Sequence, residues 1–106
     1  MDFMEMMKKA QEVQVRLQEA QEELGRIEVE GRSGGGLVRL VMTAKGEVKG
    51  VEIDPSLMTP SDKEMLEDLI IAAFADAKGK AERAAAEKIQ SVTAGLPLPP
   101  GLKLPL

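Results

Sequence analysis

A chain of 106 residues, 43% of them hydrophobic, has the size and composition of one folding unit and is too apolar to be a solvated tail. It contains no His and no Cys, which removes the imidazole base, the thiolate nucleophile, the usual zinc ligands and any disulfide, so most hydrolytic and redox chemistries lose their central residue and no enzyme is expected. With 14 basic and 18 acidic residues the net charge is −4, so overall attraction cannot draw the chain to nucleic acid and the local distribution of cations must decide that question.

Two Phe are the only aromatic residues, so Met and Ala fill volume that rings fill in most cores. A thin core in a small chain predicts a second copy covering the apolar surface left over, that is, a homo-oligomer. The start, Met1 to Lys9, interleaves acids with its apolar residues and has no apolar leader core, and no run approaches the ~20 apolar residues that span a bilayer. A cytoplasmic protein with no membrane partner is expected.

The first element is a helix. Phe3, Met6, Ala10, Val13, Leu17, Ala20 and Leu24 alternate in steps of three and four, a heptad seam, with Lys9, Arg16 and Glu23 flanking it. Such a seam packs along another helix, in the same chain or a second one; the alternative is an ordinary amphipathic helix lying on its own sheet. Gly25 sits where a left-handed residue closes a helix.

The period then changes. Ile27 and Val29 alternate with Arg26, Glu28 and Glu30; Leu37 to Thr43 is apolar and β-branched; Val48 to Ile53 follows, each run bounded by glycines. The connectors Ser33–Gly36 and Ala44–Glu47 suit hairpins, which predicts a three-stranded antiparallel meander. Val48 is out of phase with Val51 and Ile53, and a bulge near Gly50 would restore the facing. Asp54-Pro55 ends the third strand.

A second, longer helix starts either with Thr59 as cap and Pro60 in the first helical position or with Ser61 and Glu64 as a capping box, its acids Asp62, Glu64, Glu67 and Asp68 at the positive end of the dipole. Running to Val92 it is ~50 Å long, more than a three-stranded sheet covers, so part of it projects. Its first half (Met65, Leu66, Leu69, Ile70, Ile71, Phe74) is broad and should lie on the sheet; its second half (Ala77, Ala81, Ala84, Ala85, Ile89, Val92) is narrow and should meet a helix, with Gly79 a candidate kink. Residues 1–95 thus form one helix-sheet-helix domain of the α+β class. Residues 96–106 form a Leu/Pro-rich tail that cannot continue the helix and is too apolar for a free linker, so it is expected to lie against folded surface.

Gly34-Gly35-Gly36 lacks the Gly-Lys-Ser/Thr and the following helix of a phosphate loop, and a hairpin accounts for it better. The carboxylates Glu64, Glu67 and Asp68 are explained by the helix dipole rather than by a metal. No cofactor or small-molecule substrate is implied. Charge is acidic over 1–24 and 59–75, balanced over 26–54 and basic over 76–106. Even on the basic stretch Asp76 with Lys80, Lys78 with Glu82 and Arg83 with Glu87 fall four apart, as do Glu5 with Lys9 and Glu12 with Arg16 on the first helix, so a solvated, self-paired helix face competes with a DNA-binding one.

Four stretches, in order and with the right spacing, resemble the YbaB/EbfC family: Gly34-x-Gly36-Leu37-Val38, Val51 to Leu57, Glu64 to Ile70 through Ala72-Ala73-Phe74, and Leu98-Pro99-Pro100-Gly101-x-Lys103-x-Pro105. The resemblance covers nearly the whole chain. It implies helix, three-stranded sheet and helix in each protomer, an intertwined, tweezer-like homodimer, binding of double-stranded DNA and association with the nucleoid. It further implies, by region rather than by motif, that charged residues of the first helix (Lys8, Lys9, Arg16) and of the distal second helix (Lys78, Lys80, Arg83, Lys88) contact DNA. Ala75 departs from the Asn common in the family before Asp76-Ala77, and Gly79 is a second departure. The alternative is a dimeric scaffold of the repair or recombination machinery whose Ala-rich helix or Leu/Pro tail docks a protein, with weak or no DNA binding.

Overall fold

The computed structural model describes residues 2–94. The Leu/Pro tail at 96–106, and with it the domain boundary at 95, lies outside the described residues. Helix α1 spans Phe3–Leu24, strands β1, β2 and β3 span Glu28–Ser33, Val38–Thr43 and Val48–Ile53, and helix α2 spans Lys63–Ala94.

The side chain of Asp2 caps α1, accepting from the Glu5 amide at 2.9 Å. At its other end Gly25 stays right-handed (φ −69°, ψ −13°), so the expected left-handed closure is not formed. Bonds from the amides of Gly25 to Glu22 and of Arg26 to Glu23 tighten the last turn instead, and they satisfy the free carbonyls without a change of hand.

The three strands form the expected antiparallel meander in the order β1-β2-β3, with Leu40 facing Gly31 on one side and Val51 on the other. The first hairpin turns through Gly34, Gly35 and Gly36 at φ of 60°, 69° and 97°, which answers the glycine triplet structurally, because L side chains rarely adopt such angles. In the second hairpin the Thr43 amide donates to the Glu47 carbonyl at 2.8 Å and the Thr43 hydroxyl accepts from the Glu47 amide at 3.2 Å, so both the amide and the hydroxyl of the buried Thr43 have a partner. Val41 pairs with Gly50 but Met42 pairs with Val48, leaving Lys49 as the extra residue of a bulge. That bulge puts Val48 on the face of Val51 and Ile53, as the phase of the sequence requires.

Asp54 ends β3 by accepting from the Ser56 amide at 2.9 Å, which turns the chain through Pro55–Leu57 and buries Leu57. That amide also holds the Asp54 carboxyl below its ordinary pKa. Thr59 and Pro60 then open a short 3₁₀ turn, Pro60–Asp62, that leads into α2; the Thr59 hydroxyl donates to the Asp62 carboxylate at 2.7 Å, and no Ser61–Glu64 capping box is made. Helix α2 continues unbroken through Gly79.

The core joins Val38, Leu40 and Met42 of β2 to Ala73, Ala77 and Ala81 of α2, with Leu57 at one end and Leu66, Leu69 and Ile70 partly buried against it. Met65, Ile71 and Phe74, expected on the sheet, remain exposed, because α2 is seated over β1 and β2 and reaches no further than its Leu66–Ile70 side. The inner face of β3 is therefore open, with Val48 and Val51 exposed beside Leu40 and Met42.

Side-chain bonds fix α2 along the free edge of β1: Ser33 Oγ donates to the Leu69 carbonyl at 2.5 Å, the Arg32 amide to Asp76 Oδ2 at 3.0 Å, and Lys80 Nζ to the Glu30 carbonyl at 2.8 Å. β1 and α2 consequently run antiparallel. Preceding β1, α1 continues the same course: Glu23 pairs with Lys88, and Ala20, Leu24 and Ile89 are buried where the helices meet. Of the narrow half of α2, Ala77 and Ala81 lie on the sheet, against the expectation, and the stretch around Lys88 and Ile89 meets a helix of its own chain, as expected. At ~1.5 Å per residue Ala94 lies about level with Leu17, so α1 overshoots the end of α2 by roughly 20 Å. The 70 Å long axis of the molecule reflects this overshoot.

Candidate nucleic-acid interface

The overshooting half of α1 carries three of the predicted cations. Lys8, Lys9 and Arg16 are exposed, and none of them forms an ion pair among the described residues. The local pairs Glu5–Lys9 and Glu12–Arg16 are not made. Lys8 and Arg16 line one shallow, open depression with Glu12, Val15 and Glu19, on the side of the helix turned away from the Phe3–Met6–Ala10 stripe. Between Glu5 and Arg16 the cations outnumber the acids, whereas Glu19, Glu22 and Glu23 gather at the base of the arm.

On α2 the predicted cations divide. Lys78 and Arg83 are exposed, and their expected partners Glu82 and Glu87 do not pair with them among the described residues. Lys80 is committed to the fold: it bonds the Glu30 carbonyl and lies 3.1 Å from Asp76, the one pair at four-residue spacing that forms among the described residues. Lys88 is held by Glu23 of α1. Pairing along a helix contributes only ~0.2–0.5 kcal/mol, so tertiary partners and solvation decide which cations are occupied. Spacing in sequence cannot rank them.

Asp76 was legible only as a partner of Lys80, yet it also accepts the β1 edge amide of Arg32. That amide first, and Lys80 second, hold its carboxyl below the ordinary aspartate range, and Lys88 does the same for Glu23. On the sheet, Arg32 pairs with Glu30 at 2.8 Å, Arg39 with Glu52 at 2.9 Å and Lys49 more loosely with Glu47 at 3.9 Å. Of the cations predicted to contact DNA, Lys8, Lys9, Arg16, Lys78 and Arg83 therefore keep their charge unpaired among the described residues, and all have side chains long enough to meet a phosphate oxygen. No described helix is long and apolar enough to cross a membrane.

The model of the YbaB/EbfC DNA-binding family matches residues 1–96. Among named relatives, the chain is 59% identical over 101 residues to the nucleoid-associated protein bll8115 of Bradyrhizobium diazoefficiens, covering 95% of each chain. It is 53% identical over 104 residues to the nucleoid-associated protein Atu0095 of Agrobacterium fabrum, covering 98% of this chain and 97% of the other. In fold it is similar to the uncharacterized protein HP0035 of Helicobacter pylori, with a TM-score of 0.74 at 23% identity over 90% of this chain and 99% of that one.

Proposed function

This chain belongs to the YbaB/EbfC DNA-binding family, and from that premise we propose that it binds double-stranded DNA in the nucleoid as a homodimer, through cations on its two helices and without catalysis. The observation that carries this reading is that five of the seven helical cations predicted to contact DNA are exposed and without ion-pair partners among the described residues, in a chain whose net charge is negative. Lys8 and Arg16, sharing one face of the overshooting α1, are the first contacts; Lys78 and Arg83 on α2 are the second. Lys80 and Lys88 serve the fold instead.

Such side chains bind phosphate and release counterions, which positions the protein on a duplex without reading bases. The chain has no helix-turn-helix or zinc pattern, so sequence preference, where there is any, comes from the spacing of the arms and from DNA shape. Dimerisation is supported by the uncovered apolar surface of the single chain, where Val48 and Val51 of β3 lie open and Ile71 and Phe74 of α2 are exposed. A two-fold dimer would present two copies of each arm to one duplex.

A gel shift of short duplexes titrated with salt, run beside sedimentation of the free protein, tests the proposal. Phosphate binding must weaken steeply as salt rises. A dimer that gives no salt-sensitive shift would favour the scaffold, for which the same exposed apolar residues are the docking surface.

A further inference from the structure

We propose that the Leu/Pro segment 95–106 docks on the apolar stripe of the overshooting half of α1, within the same chain. The seam of α1 divides at the end of α2. Leu17 is half-buried and Ala20 and Leu24 are buried where α2 runs beside them, whereas Phe3 is 74% and Met6 56% exposed on the same stripe beyond it. The sequence pattern is continuous across that division, so the outer half is built to be covered by something that takes over where α2 stops.

Chain direction and length name the occupant. α2 brings Ala94 about level with Leu17, at the inner end of the bare stripe, with the helix axis pointing outward along it. From Leu17 to Phe3 is roughly 21 Å of helix. Residues 96–106 hold five Leu and four Pro, and eleven residues in an extended, proline-favoured path reach ~34 Å, enough to cover the stripe. Proline stops the helix and has already given up much of the freedom that docking removes, so an apolar strap of this composition loses little entropy on binding. Being tethered, it also meets the stripe at an effective concentration near the millimolar range, which a separate copy at micromolar concentration does not match. Lys8 lies on the side of α1 opposite the stripe and Arg16 on its flank, so the strap need cover neither; the inference stands apart from the DNA-binding reading and is tested without DNA.

The absence of cysteine allows a clean cross-linking test on the full chain. Matching rises along helix and strap puts residue 98 near residue 10, so A10C/L98C should oxidise to a faster-migrating, covalently closed monomer on a non-reducing gel. E12C/L98C, on the opposite face and only ~3 Å along the helix from residue 10, should close at least tenfold more slowly. Equal closure of the two pairs overturns the proposal, because the segment then has no seat. Covalent dimers of A10C alone overturn it in favour of a second copy on the stripe. Covalent dimers from a mixture of A10C and L98C chains, formed in preference to closed A10C/L98C monomers, overturn the same-chain assignment and place the segment on the partner's arm.

Discussion

A Cβ on Gly31 would lie 2.1 Å from the carbonyl oxygen of Ala73 and 2.5 Å from the amide nitrogen of Ala77. The backbone of α2 therefore rests almost directly on the backbone of β1, and only a residue without a side chain permits it. This contact sets the height of α2 above the sheet, and through it the positions of the Lys80 and Asp76 bonds to β1. Gly31→Ala should lift the helix and cost at least ~2 kcal/mol by overpacking. Urea unfolding at fixed protein concentration checks this; an unchanged midpoint would mean that the helix can shift without loss.

Gly79 presents the opposite case. It lies inside an unbroken helix, and a Cβ there meets nothing within 4 Å. Gly79→Ala should stabilise by ~0.5–1 kcal/mol, since the unfolded chain loses freedom and the helix gains propensity. A raised melting temperature with unchanged oligomer mass is the expected result.

Lys80 and Lys78 carry the same charge but have different duties. Lys80→Met removes the donor to the Glu30 carbonyl, so it should cost ~1–2 kcal/mol, the lower part of the range for a hydrogen bond from a charged group because the side chain is partly exposed. Lys78→Met, at an exposed position without a partner among the described residues, should stay within ~0.5 kcal/mol of the parent. Thermal melts of the two variants distinguish a fold-holding lysine from a solvated one.

The Asp76 clamp makes stability depend on pH. Its folded pKa lies below the ordinary value of 3.8, so its contribution is fully present above that value and is lost as pH falls through the depressed folded value. Asp76→Asn should be less stable than the parent at pH 6, and the gap in melting temperature should close as pH falls below about 3.8. A gap that stays constant down to pH 2 would show that the carboxylate charge is not what holds the β1 edge.

For DNA, K8E/R16E and K78E/R83E should each greatly weaken the gel shift while helix content and dimer mass stay unchanged, because all four residues are solvated. Substitution of single phosphate contacts should reduce the logarithmic salt slope by ~1 each. If both double variants bind like the parent with the same slope, the helical arms are not the interface, and Lys45, exposed at the β2-β3 turn, would be the next cation to change.

The order and type of every element were legible in the sequence, because period, capping residues and glycine punctuation are local signals. Even the bulge near Gly50 followed from the phase of three β-branched residues along one strand. The resemblance to a DNA-binding family was equally readable, since it rests on motifs in order along the chain. Tertiary structure decided what depends on residues distant in sequence. Nothing local to Gly25 distinguishes a left-handed closure from a tightened last turn, and nothing local to Gly31 reveals α2 lying against it. Among the cations, spacing four apart suggested pairs for Lys9, Arg16, Lys78, Lys80 and Arg83 alike, and only that of Lys80 forms among the described residues. Its partners Glu30 and Asp76, and the Glu23 that holds Lys88, are chosen by the antiparallel course of α2 along β1 and α1. Ion pairs worth a few tenths of a kcal/mol follow the geometry that core packing imposes. The sequence therefore determined that cations lie on both helices, and the packing of those helices decided which of them remain available to a phosphate.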